Sequence, residues 1–197
     1  MIDAIEDAII NRIEAARPGL GYQLKAVASY GGELDEDLGQ VVRGFPAIWV
    51  TFAGSGKSRK KNSAGSKWIT PATFAVMHAA RNVRGERATR YGVSVGGAIL
   101  EVGVYQMLAD TRTMLLGNDL GLPITKLQPG ATRTLYNTRL GGQGIAVFVR
   151  EWHTEFVEEM PREAIDPTSG DFLKLGIDYH LQPDDGTADL SDEITLA

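Results

Sequence analysis

Apolar residues recur along the first part of this chain at steps of three and four. Ile2, Ile5, Ile9 and Ile13 fall on one side of a 3.6-residue period, which predicts an α-helix over residues 3–16. Asp3 and Glu6 have the spacing of a capping box, with Asp in place of Ser or Thr. Pro18-Gly19 ends the helix. The period then changes to two. Tyr22–Ala28 alternates as a strand, Gly31-Gly32 turns the chain, and Asp35–Arg43 reads as a short helix with Leu38, Val41 and Val42 on its apolar side.

Ala47–Phe52 is a short β-rich strand, and its expected partner is Trp68–Ala80, joined to it through the polar loop Gly54–Lys67. Alternation puts Trp68, Phe74, Val76 and His78 on one face of that partner and Ile69, Thr73, Ala75 and Met77 on the other. Apolar character on both faces predicts burial between layers, with Pro71 restricting pairing near the start. From Ala98 to Leu116 the period is helical again. Leu100, Val104, Met107, Leu108, Thr111 and Leu115 form the stripe, and Gly117 is the stop. Ile124–Tyr136 is extended and interrupted by Pro129-Gly130, and Ile145–Val157 is a strand with Phe148, Trp152 and Phe156 on one face. The order predicts an α+β fold: a small, mainly antiparallel sheet with an N-terminal helix and a long middle helix packed on it.

Length and composition agree with one such domain. The chain has 197 residues, of which 43% are hydrophobic, enough for one packed core. Cys is absent, which removes disulfides and thiolate metal sites from consideration. Acid stands near the N-terminus where a signal peptide carries base. Uncharged runs reach 13 residues, as in Trp68–Ala80, against roughly 20 for a membrane-spanning helix. A soluble protein folded in cytoplasm is expected.

The net charge of −5 conceals a division. Residues 159–197 hold ten acids against two bases, a net of −8, so residues 1–158 carry +3. We therefore expect a single α+β domain over 1–158 and an acidic, partly ordered extension over 159–197, solvated or wrapped on a partner. Glycines and acids after Thr168 read as turns, Asp184-Asp185-Gly186 among them.

Three motifs invite chemistry and fall short of it. Gly54-Ser55-Gly56-Lys57-Ser58 resembles a phosphate loop, but that motif needs a further glycine at the position of Thr51 and a helix directly afterwards. Gly92-Val93-Ser94-Val95-Gly96 matches a nucleophile elbow, yet Arg87–Tyr91 before it is no buried strand. Ser94 fits better as a cap at the start of the long helix. His153 and Glu155 share one side of a strand, two ligands where a metal needs at least three. No catalytic residue, metal or cofactor is expected.

The basic residues are more informative. Lys57, Arg59, Lys60, Lys61 and Lys67 cluster in the loop, and Arg81, Arg84, Arg87 and Arg90 recur every three residues. Strand rise separates the two groups by on the order of 30–40 Å, so they make two candidate interfaces rather than one continuous nucleic-acid track.

Met1–Asp7, Tyr30–Asp37, Pro46–Phe52, Pro71–Val76, Leu120–Ile124 and Tyr136–Arg139 carry a further signal. In these segments the chain resembles the Mu-type tail-region protein family. The resemblance implies a tail terminator, or tail-completion, protein: a homo-oligomeric ring, hexameric by analogy, at the head-proximal end of the tail tube. Its implied partners are itself, the tail tube protein, neck or head-completion proteins and DNA passing along the channel, with no membrane. Its implied location is the virion tail or neck, after assembly in the host cytoplasm. A head–tail adaptor, a nucleic-acid-binding module using Lys57, Arg59, Lys60 and Lys61, and a small hydrolase using Ser94 are the alternatives.

Overall fold

Two long strands, both apolar on alternate residues, set the architecture. The computed structural model describes residues 1–32, 44–82, 84–140, 143–161, 174–179 and 190–195. The chain divides into two units, Met1–Glu159 and Met160–Ala197. In the first, helix α1 (Ile2–Ala16) and a 3-10 turn (Arg17–Gly19) lead into β1 (Ala26–Ser29), β2 (Ala47–Ser55), β3 (Arg59–Lys60) and β4 (Lys67–Asn82). Next come α2 (Glu86–Tyr91), the hairpin β5 (Val93–Val95) and β6 (Ala98–Glu101), α3 (Val104–Leu115), β7 (Gln128–Leu140) and β8 (Gln143–Glu159). The second unit contains an antiparallel pair, β9 (Lys174–Tyr179) with β10 (Leu190–Thr195).

The main sheet runs β1-β2-β4-β8-β7, with β3 added beside β4. The expected pairing of the second strand with the Trp68–Ala80 strand is present, with Ala47 opposite Ala79 and Phe52 opposite Phe74. Pro71 sits where β4 changes partner, between Ala72 opposite Ser55 and Ile69 opposite Arg59, so its missing N–H interrupts no ladder there. The sheet is antiparallel except for β1 against β2, which is parallel. That pair needs a crossover rather than a hairpin, and the connection passes through 33–43, where the expected Asp35–Arg43 helix lies outside the described residues.

Alternation divides the core into two. On the helix side, Ile48, Val50, Phe74, Val76, Trp152 and Phe156 meet Ile5, Ile9 and Ile13 of α1 and Val104, Met107 and Leu115 of α3. On the other side, Phe45, Ala47, Trp49, Met77, Ala79, Ile145 and Val147 form a second buried cluster. The double burial expected of β4 is present because its neighbours on both sides are equally apolar.

Four local expectations need correction. No capping box forms: α1 begins at Ile2, so Asp3 already lies inside the first turn and accepts from the Met1 amino group instead (2.8 Å). Glu6 ties the helix to the sheet by accepting from Ser29 Oγ and from Phe52 N (3.1 Å). The strand read over Tyr22–Ala28 is only Ala26–Ser29. The long middle helix over 98–116 is divided as well. Gly96 and Gly97, at φ 59° and 85°, turn the chain into the β5–β6 hairpin, and extended Gly103 lets α3 start only at Val104. Leu100, expected in the helical stripe, is accordingly exposed. Gly117 does stop α3, at φ 70°.

His78 is fully buried between β4 and α3. Its Nε2 lies 2.9 Å from Thr111 Oγ1, and that hydroxyl donates to Met107 O (3.0 Å), so Nε2–H is the donor in the pair. Burial, helped by the charge of Arg150, pushes the imidazole from 6.5 down to about 3. The folded protein therefore keeps His78 neutral while the unfolded chain takes up a proton below pH 6.5. Stability from this group is complete above that pH and falls as pH drops toward 3. Urea melts of wild type and His78→Leu over that range should differ in slope, the wild type losing up to about 1.4 kcal/mol more per pH unit. Parallel slopes would refute a neutral buried histidine.

Candidate functional site

The chemical motifs come apart in three dimensions. Gly54 and Ser55 end β2, and the chain passes through Gly56–Ser58 into β3 rather than into a helix, so no helix N-terminus faces a phosphate. Ser94 lies exposed in β5 opposite Ile99, ten residues before α3, and caps nothing. Gly103 is the cap residue of α3. His153 Nδ1 lies 2.9 Å from Thr73 Oγ1, while Glu155 accepts two bonds from Arg59. Among the described residues no three metal-ligating groups converge.

The first basic group is largely bound up in cross-strand contacts. Arg59 forks onto Glu155 (2.6 and 2.8 Å), and this contact holds the Glu155 carboxyl below the usual carboxylate range. Lys67 stands opposite Glu159 in the ladder and pairs with it at 2.7 Å. Lys60 lies over the Trp68 ring at 5.8 Å. Of the five cations, Lys57, Lys60 and Lys61 have no acidic partner among the described residues. These exposed pairs add little stability, and they offset two of the five charges of the loop.

The second group divides. Arg81 lines a cavity of about 580 Å³ with Lys25, Asn82 and Glu101. Asn82 donates to Glu101 and accepts from Arg84 N (2.7 Å), which shapes the turn. Arg87 and Arg90 lie on α2, and Arg87 sits 5.6 Å over the Tyr91 ring.

From Arg87 the structure builds a surface the sequence did not reveal. Tyr91 meets Tyr105 edge to face at 5.2 Å, and Tyr105 meets Phe148 at 5.7 Å. Arg150 follows Phe148 on the same face of β8 and covers Trp152 at 5.3 Å. Burial, and then the like charge of Arg112 on α3, lowers the pKa of Arg150. Neither Arg112 nor Arg150 has a carboxylate partner among the described residues, and Arg150 Nε is out of solvent with no acceptor. Tyr91 is 64% exposed, and Val95 and Leu100 of the hairpin are about as open. Two signals existed in the sequence: a cation at the even-numbered apolar face of β8, and Tyr105, Leu108 and Arg112 at helical spacing.

The surface depends on one close backbone approach. A Cβ on Gly103 would lie 2.2 Å from Gly92 N and 2.4 Å from Arg90 O. Gly92 ends α2 at φ 78°, a conformation that favours glycine. These two glycines bring Tyr91 beside Tyr105 across the base of the hairpin.

Residues 1–157 match a protein family described as Bacteriophage Mu, Gp37, a span that covers nearly all of the first unit. The class is that of a phage structural protein of the tail region. The chain belongs to the Mu Gp37 family, as the resemblance in its sequence implied. No curated protein matches it. No helix among the described residues is long and apolar enough to cross a membrane.

Gly103→Ala should cost about 1–3 kcal/mol by overpacking backbone against backbone. It should also weaken the near-ultraviolet signal of the tyrosine cluster. A variant with unchanged melting temperature and tyrosine spectrum would show that the approach is not required.

Proposed function

We propose that this protein is a tail terminator: a ring at the head-proximal end of the tail tube that stops tube growth and presents the head-joining surface. The observation that carries the reading is membership of the Mu Gp37 family over residues 1–157. Two open features of the fold are compatible with it. Strand β7 ends the sheet on one side and is exposed over most of Gln128–Leu135, and the β5–β6 hairpin presents Val95 and Leu100 to solvent. Long open edges and apolar projections are normally covered, and closure into a ring covers such surfaces without leaving a propagating end.

In this reading the protein acts by assembly and performs no catalysis. One face of the ring binds the last layer of the tube, and the other offers no tube-like template, so growth ends. A ring of about six copies matches a tube built of hexameric layers by family analogy, and heterologous contacts close it. The partners are other copies of the chain, the tail tube protein, and neck or head-completion proteins, with DNA passing through the channel. The location is the tail or neck of the virion. Nucleic-acid binding through Lys57, Arg59, Lys60 and Lys61 is the weaker reading, since Arg59 is held by Glu155.

Light scattering and negative-stain microscopy, with and without purified tail tubes, test the proposal. Closed rings of about six subunits on tube ends are expected. Binding to filled capsids but not to tubes would replace the terminator with a head–tail adaptor. A protein that ignores both would overturn the reading. Ser94→Ala should assemble as the wild type does, and loss of assembly with retained folding would reopen a role for that serine.

A further inference from the structure

Arg112 and Arg150 present a difficulty that the described residues do not resolve. Two guanidinium groups of like charge lie near one another on the helix side of the sheet, with no carboxylate between them among the described residues. Arg150 already stacks on Trp152, and its Nε is shielded from water without an acceptor. Arg87 adds a third positive group at the far end of the Tyr91–Tyr105–Phe148 row. On the other side, Thr132 and Thr134 of β7 stand opposite Arg150 and Phe148, and both are exposed. The result is a shelf bounded by the flank of α3 and the open β7 edge, with aromatic rings, arginines and strand backbone facing outward.

The occupant of such a shelf needs three properties. It must carry several carboxylates for the arginines, apolar side chains for the exposed rings of Tyr91 and Tyr105, and extended backbone able to lie along a strand edge. Nucleic acid is the other polyanion such a surface could take, and the oligonucleotide arm of the test below distinguishes it. The chain itself contains a segment with all the required chemistry. Residues 159–197 hold ten acids against two bases, and among them stand Phe172, Leu175, Ile177, Tyr179 and Ile194. Lys174–Tyr179 and Leu190–Thr195 within that segment are extended.

We infer that the shelf formed by Arg87, Tyr91, Tyr105, Arg112 and Arg150 binds the acidic C-terminal segment of a second copy of this chain. The contact joins two different surfaces, shelf to segment, so each copy uses one of each. Such head-to-tail contacts generate a ring when the rotation closes. The inference rests on the terminator reading only for that closure; the pairing itself is argued from charge and apolar content.

A charge-swap experiment on the full-length protein tests it. One variant, R87E/R112E, reverses two exposed shelf arginines, and the other, D184K/D185K, reverses two acids of the segment. Sedimentation velocity should show each variant alone dissociating, with apparent Kd raised about tenfold or more. The wild-type assembly should weaken similarly as NaCl rises from about 0.1 to 1 M. An equimolar mixture should recover the wild-type mass, because Lys on one chain then meets Glu on the other. That recovery also shows that neither variant has lost its fold.

Wild-type mass in R87E/R112E would overturn the inference. So would a mixture that stays dissociated while both variants melt as wild type, or a wild-type chain that is monomeric throughout. Unchanged mass with lost binding of a single-stranded oligonucleotide would assign the shelf to nucleic acid instead. Tube capping is scored separately. Capping rings formed by R87E/R112E would remove the shelf contact and leave the terminator reading standing. Shelf-dependent assemblies that ignore tubes would do the reverse.

Discussion

Everything in the first unit hangs on the ladder between β4 and β8. It runs in unbroken register from Lys67 opposite Glu159 to Asn82 opposite Gly144. Side chains alternate strictly across such a ladder, so a slip of one residue would move Phe74, Val76, Trp152 and Phe156 off the helix side and exchange the two cores. Burial on both faces therefore fixes the register more firmly than burial on one. β2 and β7 add to the two outer sides of this pair, and α1 and α3 pack on the face it presents.

The same register sorts the charges. At the Lys67 end it sets Lys67 against Glu159, and through β3 it brings Arg59 to Glu155. Two of the basic residues that look like one patch in the sequence are thereby matched to carboxylates across the sheet. Near the middle it does the opposite. It places Arg150 on the helix face, where the nearby charge is Arg112 and the buried neighbour on β4 is the neutral imidazole of His78. Carboxylates at the Lys67 end take up two of its cations, whereas Arg150 near the middle has none among the described residues, which makes the middle the more informative surface.

Between them, the hairpin and its two glycines act as a spacer. Gly92 and Gly103 let two backbone segments touch, and the ten residues between them leave the sheet and return. This detour explains why one apparent helix over 98–116 is a strand followed by a shorter helix. Helical spacing at Leu100, Val104 and Met107 is genuine, but Gly96 and Gly97 turn the chain into a hairpin and Gly103, inside the span, weakens a continuous helix. The apolar residue released by that break, Leu100, becomes surface.

How much of this was legible in the sequence depends on the range of the interaction concerned. Periodicity by itself determined α1, β2, β4 and β8, the two-faced burial of β4, the stop at Gly117 and the α+β class, because each is written in residues a few positions apart. The short family segments likewise determined membership of the Mu Gp37 family, while the lone motifs at Gly54–Ser58 and Gly92–Gly96 determined no chemistry. Tertiary structure alone decided the parallel β1–β2 pair, the neutralisation of Arg59 and Lys67, the seat of His78 against Thr111, and the meeting of Arg112 with Arg150. Each of those joins residues that only the closed sheet brings within a few ångströms. Charge and hydrogen bonding act across space rather than along the chain, so the sequence names the participants and the fold chooses the pairs.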